Sequence, residues 1–86
     1  MTKIALVTGA GRGIGRSVAT KLSKQGAHVI VNYVSNEQAA HETLKEIVSL
    51  EGSAELSRFD VSDPAAVDAS IDAIVKKHQK LDILVS

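Results

Sequence analysis

The stretch V-T-G-A-G-R-G-I-G-R-S, residues 7–17, places four glycines at alternate positions directly after a short apolar run. Glycine weakens regular helices and strands because it loses more backbone freedom on folding than any other residue. Four glycines so close together therefore indicate a turn with special backbone demands. The apolar run Ile4–Val7 before the turn predicts a strand buried on both faces, and the spacing after it predicts a helix.

Strands and helices are predicted to alternate along the whole chain. The four predicted strands are Ile4–Val7, His28–Val34, Ser53–Phe59 and Leu81–Val85. The three predicted helices are Ile14–Gln25, one that begins at a capping box of Ser35 with Gln38 and ends at Gly52, and one from Asp63-Pro64 to His78. This alternation indicates an α/β fold with a parallel sheet and right-handed crossovers. Neither a linker nor a repeat divides residues 1–86, so we expect a single domain.

The composition excludes several kinds of protein. There is no cysteine among the 86 residues, which rules out disulfides, cysteine-bound zinc and a thiol nucleophile. The opening apolar run is too short for a signal peptide or a membrane span, so we expect a cytoplasmic location and no membrane partner. No basic surface interleaved with aromatic residues is present, so nucleic acid is not an expected partner. His28, His41 and His78 fall in three different elements without metal-ligand spacing, and we expect surface or helix-end positions and no metal site.

Charge is divided unevenly between the two parts of the chain. Residues 1–36 carry five basic and no acidic side chains (+5), whereas residues 37–86 carry five basic and ten acidic ones (−5). These charges are either solvated helix faces or a sign that the glycine turn lies in a positive region suited to a polyanionic ligand. The asymmetry alone does not decide between the two interpretations.

The glycines follow the pattern T-G-x-x-x-G-x-G, formed by Thr8, Gly9, Gly13 and Gly15. The dinucleotide pattern G-x-G-x-x-G and the phosphate loop both fail, because each requires a glycine where this chain has isoleucine or arginine. A glycine turn between a strand and a helix binds phosphate well, since the ligand approaches the main chain and meets the free N–H groups of the helix. We favour this interpretation over a flexible linker, which would explain one or two glycines but not four.

Three segments resemble, in order, the N-terminal part of the short-chain dehydrogenase/reductase family. They are T-G-A-G-R-G-I-G (Thr8–Gly15), R-F-D-V-S-D (Arg58–Asp63) and L-D-I-L-V (Leu81–Val85). Within the family, the chain is most similar to 3-oxoacyl-[acyl-carrier-protein] reductases and glucose-dehydrogenase-like members. The resemblance implies a Rossmann-like three-layer fold with strand order 3-2-1-4, the first two helices on one face of the sheet and the third on the other.

The resemblance also implies roles for individual residues at a nicotinamide dinucleotide site. Gly9, Gly13 and Gly15 would shape the turn, and backbone N–H groups near Ile14 would face the pyrophosphate. At the adenine end, the carboxylate of Asp60 would accept a hydrogen bond from the amino group and the backbone of Val61 would contact the ring.

The end of the second predicted strand indicates which nicotinamide cofactor is bound. An NAD site needs a carboxylate there for the ribose hydroxyls, but the first acidic residue of the chain is Glu37, already on the next helix. Arg12 is suited to pair with a 2′-phosphate. Asn32, Tyr33 and Ser35 complete the expected contacts, and Asn32, Ser35 and Asn36 would add neutral donors. We expect NADP(H) rather than NAD(H).

No catalytic residue is expected in this chain. The family reduces carbonyls with a serine and a Y-x-x-x-K pair, but the one tyrosine here, Tyr33, is followed four residues later by Glu37. We therefore expect a truncated NADP(H)-binding half of an oxidoreductase that is inactive alone. The parent reaction would be hydride transfer between NADPH and a carbonyl or alcohol, with a 3-oxoacyl thioester as one candidate substrate.

Truncation would leave the strand Leu81–Val85 as an exposed apolar edge, which favours pairing with another chain, and we expect a homo-oligomer. Two further readings remain open. One is a non-catalytic assembly module that self-associates through this edge and leaves the glycine turn empty. The other is a different nucleotide-binding α/β protein, such as a methyltransferase, which the lack of an acid at the end of the second strand disfavours.

Overall fold

The computed structural model describes residues 2–11 and 13–86 as four strands and three helices. The strands are β1 (Ile4–Val7), β2 (His28–Tyr33), β3 (Ser53–Arg58) and β4 (Ile83–Val85), and the helices are α1 (Gly13–Lys24), α2 (Glu37–Ser49) and α3 (Pro64–His78). All strands are parallel, in the order β3-β2-β1-β4. The predicted α/β architecture and the strand order 3-2-1-4 are confirmed.

Each face of the sheet has its own apolar core because side chains alternate along the strands. On one face, the core includes Ala5, Val7, Val29 and Val31, together with Ala19 of α1 and Ala40 and Ile47 of α2. On the other face, it consists of Ile4, Leu6 and Ile30, with Phe59 and with Ile74 of α3. The first two helices therefore cover one face and the third covers the other, as expected.

The second helix does not begin with the predicted capping box. Asn36, and not Ser35, is the N-cap, and its Oδ1 accepts a hydrogen bond from the N–H of Ala39 at 3.0 Å. The prediction was wrong because asparagine caps as well as serine does, and the chain starts the helix one residue later. The third helix begins as predicted, with Asp63 as N-cap and Pro64 as its first residue.

Strand β4 begins at Ile83, two residues later than predicted, and Asp82 directly before it bonds the start of β1. Its Oδ2 accepts from the N–H of Ile4 at 2.8 Å, and its own N–H donates to the carbonyl of Ile4 at 2.9 Å.

None of the helices in the described part of the chain has the length and the apolar character that a membrane span requires.

Candidate functional site

The glycine turn joins β1 to α1 at the carboxyl end of the sheet, where two of its glycines adopt left-handed backbone. Gly9 has φ +61° and Gly13 has φ +63°. A Cβ at either position would meet no atom within 4 Å. These two glycines are therefore required for their backbone conformation and not for space.

Gly15 is required for space. A Cβ at this position would collide with the carbonyl oxygen of Gly9 and would lie 3.1 Å from the Cα of Ala10. Gly11, by contrast, lies outside the T-G-x-x-x-G-x-G pattern, and a Cβ there would approach Ala40 no closer than 3.4 Å. The pattern thus combines two positions that need left-handed backbone, Gly9 and Gly13, with one at which α1 approaches the turn closely, Gly15.

Asn32 fastens the turn to the two neighbouring strands. Its Oδ1 accepts from the N–H of Gly9 at 3.2 Å, and its Nδ2 donates to the carbonyls of Ser57 at 3.2 Å and Phe59 at 3.0 Å. The side chain is 1% exposed, and both amide hydrogens have protein acceptors. Asn32 therefore positions the backbone of the turn, with acceptors at Ser57 of β3 and at Phe59 directly after it. Its expected role as a neutral donor to the ligand stays a prediction.

Thr43 of α2 holds the backbone of the turn through hydrogen bonds from its hydroxyl. Its hydroxyl is fully buried and lies 2.9 Å from the carbonyl of Ala10 and 3.1 Å from that of Gly11. Sequence reasoning missed this residue because no motif contains it. The available signal was a polar side chain on the buried stripe of α2, three residues after Ala40 and four before Ile47.

The start of α1 offers the turn a set of backbone donors. The first four N–H groups of an α-helix have no acceptor within the helix, and the first turn of α1 contains no acidic residue. Ile14 in that turn is 85% exposed. Arg12, the expected partner of a 2′-phosphate, lies outside the described residues.

A small pocket of about 160 Å³ opens beside the turn at the end of β2. Its walls include Gly9 and Gly11 on one side and Tyr33, Ser35 and Asn36 on the other, and none of the described residues that line it is acidic. Four predicted site residues thus lie around one cavity: Gly9, Asn32, Tyr33 and Ser35. A larger depression of about 870 Å³ runs along the outer face of α2 and contains none of the predicted site residues.

Arg58 brings a cation to the same edge of the sheet. Its Nε donates to the carbonyl of Val34, a pocket residue, at 3.0 Å. The register that pairs Tyr33 with Arg58 produces this approach. No sequence motif points to this role of Arg58, because its nearness to the end of β2 follows from strand pairing.

Asp60 and Val61 follow β3 at the same carboxyl edge. The Oδ1 of Asp60 accepts from the N–H of Ser62 at 2.9 Å and from its hydroxyl at 2.7 Å. The backbone bond from Ser62, and then the hydroxyl bond, lower the pKa of Asp60 below its usual value. Val61 is half exposed and lines a second pocket of about 140 Å³ with Thr8 and Phe59. A hydrogen-bond acceptor, the carboxylate of Asp60, thus lies next to the apolar surface of Val61 at this edge of the sheet.

Two histidines lie together at the opposite, amino end of the sheet. His28 opens β2 and His78 ends α3, and both rings contact Glu55 of β3. Partial burial raises the pKa of Glu55, but hydrogen bonds from His28, Lys77 and His78 outweigh it and lower the pKa to about 2. His28 and His78 belong to different elements of the sequence, but the fold brings them together in space.

Comparisons with known proteins identify the chain's relatives. A family model described as short chain dehydrogenase matches residues 3–86. Versicolorin reductase of Emericella nidulans is 45% identical over 84 residues, which is 98% of this chain and 32% of that protein. The 3-oxoacyl-[acyl-carrier-protein] reductase of Staphylococcus aureus is 41% identical over the whole chain, which covers 35% of that protein. The short-chain dehydrogenase/reductase homolog YusS of Bacillus subtilis is 44% identical over the whole chain, which covers 79% of it.

Solved structures of a dehydrogenase and a reductase also resemble this chain in fold. A hydroxysteroid dehydrogenase from Escherichia coli matches 95% of this chain with a TM-score of 0.86 at 36% identity, over 34% of its own length. A promiscuous reductase that catalyses keto-reduction in lugdunomycin biosynthesis matches 95% of the chain with a TM-score of 0.83 at 39% identity, over 36% of its length. The chain spans about a third of most of these relatives.

Proposed function

Because the chain belongs to the short-chain dehydrogenase family, we propose that it binds NADP(H) as the cofactor-binding segment of a reductase. The bound dinucleotide would supply hydride for exchange between a carbonyl and an alcohol. The observation that carries the proposal is the cradle at the carboxyl end of the sheet. There, left-handed glycines and the first turn of α1 adjoin a pocket that has no carboxylate among its described lining residues.

The main chain of the turn is suited to hold the pyrophosphate. The backbone conformation of Gly9 and Gly13 and the close packing of Gly15 keep side chains out of the space in front of α1. Asn32 and Thr43 hold this backbone from behind. A turn fixed by the protein's own hydrogen bonds needs little ordering when an anion binds, which favours affinity.

The pocket at the end of β2 is suited to a 2′-phosphate. Ser35 and Asn36 bring polar groups to its wall. Arg58 lies beside the pocket, because its side chain donates to the carbonyl of the lining residue Val34. Arg12 in the turn is the proposed second cation. Since no described acidic side chain lines the pocket, a phosphate dianion would meet no repulsion there, which supports NADP(H) over NAD(H).

Asp60 and Val61 are suited to the adenine ring. Both Ser62 bonds go to Oδ1 of Asp60, so Oδ2 is the oxygen we assign to the amino group of adenine. Val61 offers apolar surface beside it. The lowered pKa of Asp60 keeps the carboxylate ionised, as an acceptor, at neutral pH.

The substrate class follows from the relatives and not from this chain. Versicolorin reductase and the 3-oxoacyl-[acyl-carrier-protein] reductase are reductases by name, and we propose a carbonyl compound, with 3-oxoacyl thioesters as one candidate. The hydroxyl of Tyr33 bonds Glu37 at 3.4 Å, and no Y-x-x-x-K pair occurs in the sequence. We expect the purified chain of 86 residues to bind NADPH but to show no steady NADPH oxidation with carbonyl substrates.

Self-association is a second proposal, favoured by the exposed strand β4. Leu84 is 55% exposed, and β4 is the last strand of the described sheet. Pairing of two β4 edges would cover this apolar surface. Multi-angle light scattering should give a mass above that of one chain, and a monomer at high concentration would contradict self-association.

The cytoplasmic location stays a prediction from the sequence.

The decisive experiment compares cofactor binding by two variants of equal charge. Arg12→Ala should weaken NADPH binding at least tenfold and leave NADH binding nearly unchanged, because a charge-assisted hydrogen bond to phosphate contributes about 1.5–3 kcal/mol. Lys24→Ala, at the far end of α1, is the control and should change neither affinity. Both are measured by isothermal titration calorimetry. Equal losses for NADPH and NADH in Arg12→Ala would contradict the 2′-phosphate role, and no binding of either dinucleotide to the unaltered chain would contradict the cofactor site.

A further inference from the structure

The amino end of the sheet holds a cluster of three potential metal ligands that the cofactor site does not use. His28 and Glu55 lie on the face of the sheet that α3 covers. His28 is two residues before Ile30 of that core and so shares its face, and Glu55 is the partner of Ile30 on β3. His78 is the last residue of α3 and reaches the same point. Three separate elements therefore converge there, at the end of the strands opposite to the glycine turn.

The three side chains direct their ligand atoms at a common space. The Nε2 atoms of His28 and His78 lie 2.8 Å and 2.6 Å from the same oxygen, Oε1 of Glu55. One ligand atom from each residue lies within 4.8 Å of the other two. The imidazole centroids are 5.0 Å apart and their planes are tilted by 45°, so the rings converge on Glu55 without stacking.

Neighbouring residues hold the cluster in the manner of the outer shell of a metal site. The Nδ1 of His28 lies 2.9 Å from Oγ of Ser53, which fixes the ring with Nε2 toward the cluster. The Nζ of Lys77 lies 3.1 Å from Oε2 of Glu55 and leaves Oε1 to the histidines. Metal-bound histidines and carboxylates typically carry such bonds on their remaining polar atoms.

We propose that His28, Glu55 and His78 bind one Zn²⁺ ion and so fasten the end of α3 to the sheet. Two imidazole nitrogens and one carboxylate oxygen are a known zinc ligand set, which leaves the fourth tetrahedral position for water. Ligands about 2.0–2.1 Å from such an ion lie about 3.4 Å apart. The observed contacts need to open by less than about 1 Å. The side chains of His28, Glu55 and His78 are 18%, 27% and 17% exposed, so the ion would be partly shielded but reachable.

The chemistry of binding balances in protons and in charge. In the metal-free cluster each Nε2 donates its proton to Oε1 of Glu55. When the ion binds, each ring gives up the Nε2 proton to solvent and takes one from solvent on Nδ1, so that a neutral imidazole offers the lone pair of Nε2. For His28, the Nδ1 proton is donated to Ser53. Glu55 supplies the single negative charge. An ion that links two strands and a helix adds stability that rises with the logarithm of its concentration divided by its dissociation constant, which matters in a domain of this size.

The first test uses the unaltered chain, freed of metal with a chelator that is then removed. Zn²⁺ titration should give one ion per chain and raise the melting temperature. In nitrogen-correlated spectra of the imidazole rings, His28 and His78 should shift together while His41, exposed on α2, should not. No saturable binding of Zn²⁺, or a shift of His41 alone, would overturn the proposal.

The second test uses matched variants. His28→Gln and His78→Gln should each weaken Zn²⁺ binding at least tenfold, and His41→Gln should not change it. Ser53→Ala should weaken binding about tenfold through the ring of His28. Circular dichroism checks folding, and the spectra of the unaltered chain decide the matter for any variant that fails to fold. Unchanged affinity in folded His28→Gln and His78→Gln would show that the cluster is an ion-pair group without a metal.

Discussion

The two ends of the same four-stranded sheet are built in different ways. At the carboxyl end, the glycine turn lies within residues 8–15, and backbone groups make most of its contacts with Asn32 and Thr43. At the amino end, side chains 27 and 23 residues apart, His28, Glu55 and His78, meet at one carboxylate oxygen. The first kind of site depends on backbone shape and leaves no room for a side chain at Gly15. The second depends on side-chain reach, so it should tolerate substitutions that the first does not.

Gly15→Ala should have the largest effect, because the new Cβ would collide with the carbonyl of Gly9, which cannot move without shifting β1. We expect a loss of about 3 kcal/mol in the free energy of unfolding, the upper end of what overpacking costs, together with loss of NADPH binding. Gly11→Ala is the control, since its Cβ would make ordinary contacts, and it should stay within about 1 kcal/mol of the parent. Urea unfolding followed by circular dichroism measures both. Equal losses would show that the turn is not constrained as described.

Asn32→Ala should rank second. It removes a buried side chain that bonds the N–H of Gly9 and the carbonyls of Ser57 and Phe59, and unsatisfied buried partners cost about 2 kcal/mol. Asn36→Ala, which removes the cap of α2, should cost about 1 kcal/mol. The comparison is made by urea unfolding under identical conditions. A smaller loss for Asn32→Ala than for Asn36→Ala would refute the bracing role.

Ser23→Ala, near the amino end, should stabilise the protein. Ser23 is 7% exposed, and its Oγ has no hydrogen-bond partner among the described residues. Replacing it should raise the free energy of unfolding by about 1 kcal/mol, through better helix propensity and removal of a buried unpaired hydroxyl. Ser17→Ala, exposed on the same helix, gains only the propensity of about 0.5 kcal/mol. The difference between their melting temperatures isolates the buried hydroxyl, and no difference would mean that Ser23 finds a partner in solution.

Asp82→Asn should have the smallest effect, and that effect should depend on pH. The backbone bond from Ile4, and then the interaction with Lys80, lower the pKa of Asp82 below 3.8. A carboxylate with a lowered pKa in the folded state stabilises the protein above the unfolded value, and this stabilisation is lost as the pH falls through the folded value. Asp82→Asn should therefore melt slightly below the parent at pH 7, and the gap should close as the pH falls below about 3.8. Asp72→Asn, exposed on α3, is the control. A gap independent of pH would show that the charge of Asp82 is not involved.

Much of the carboxyl-end site could be predicted from the sequence because its parts are local. Gly9, Gly13 and Gly15 revealed the turn by spacing alone, and Asp63-Pro64 marked the start of α3. The partners of Asn32 could not be predicted, because they lie on or directly after the neighbouring strands β1 and β3 and depend on strand register. The same holds for Arg58, which reaches Val34 only through the pairing of β2 with β3.

The sequence by itself determined the alternation of elements, the two-faced burial of β1 and the position of the glycine turn. Each follows from periodicity or backbone restrictions within a few neighbouring residues. Only the tertiary structure decided which polar residues brace the turn and that His28 and His78 share Glu55. Those contacts join residues more than 20 positions apart, and their distances depend on strand register and on where α3 ends.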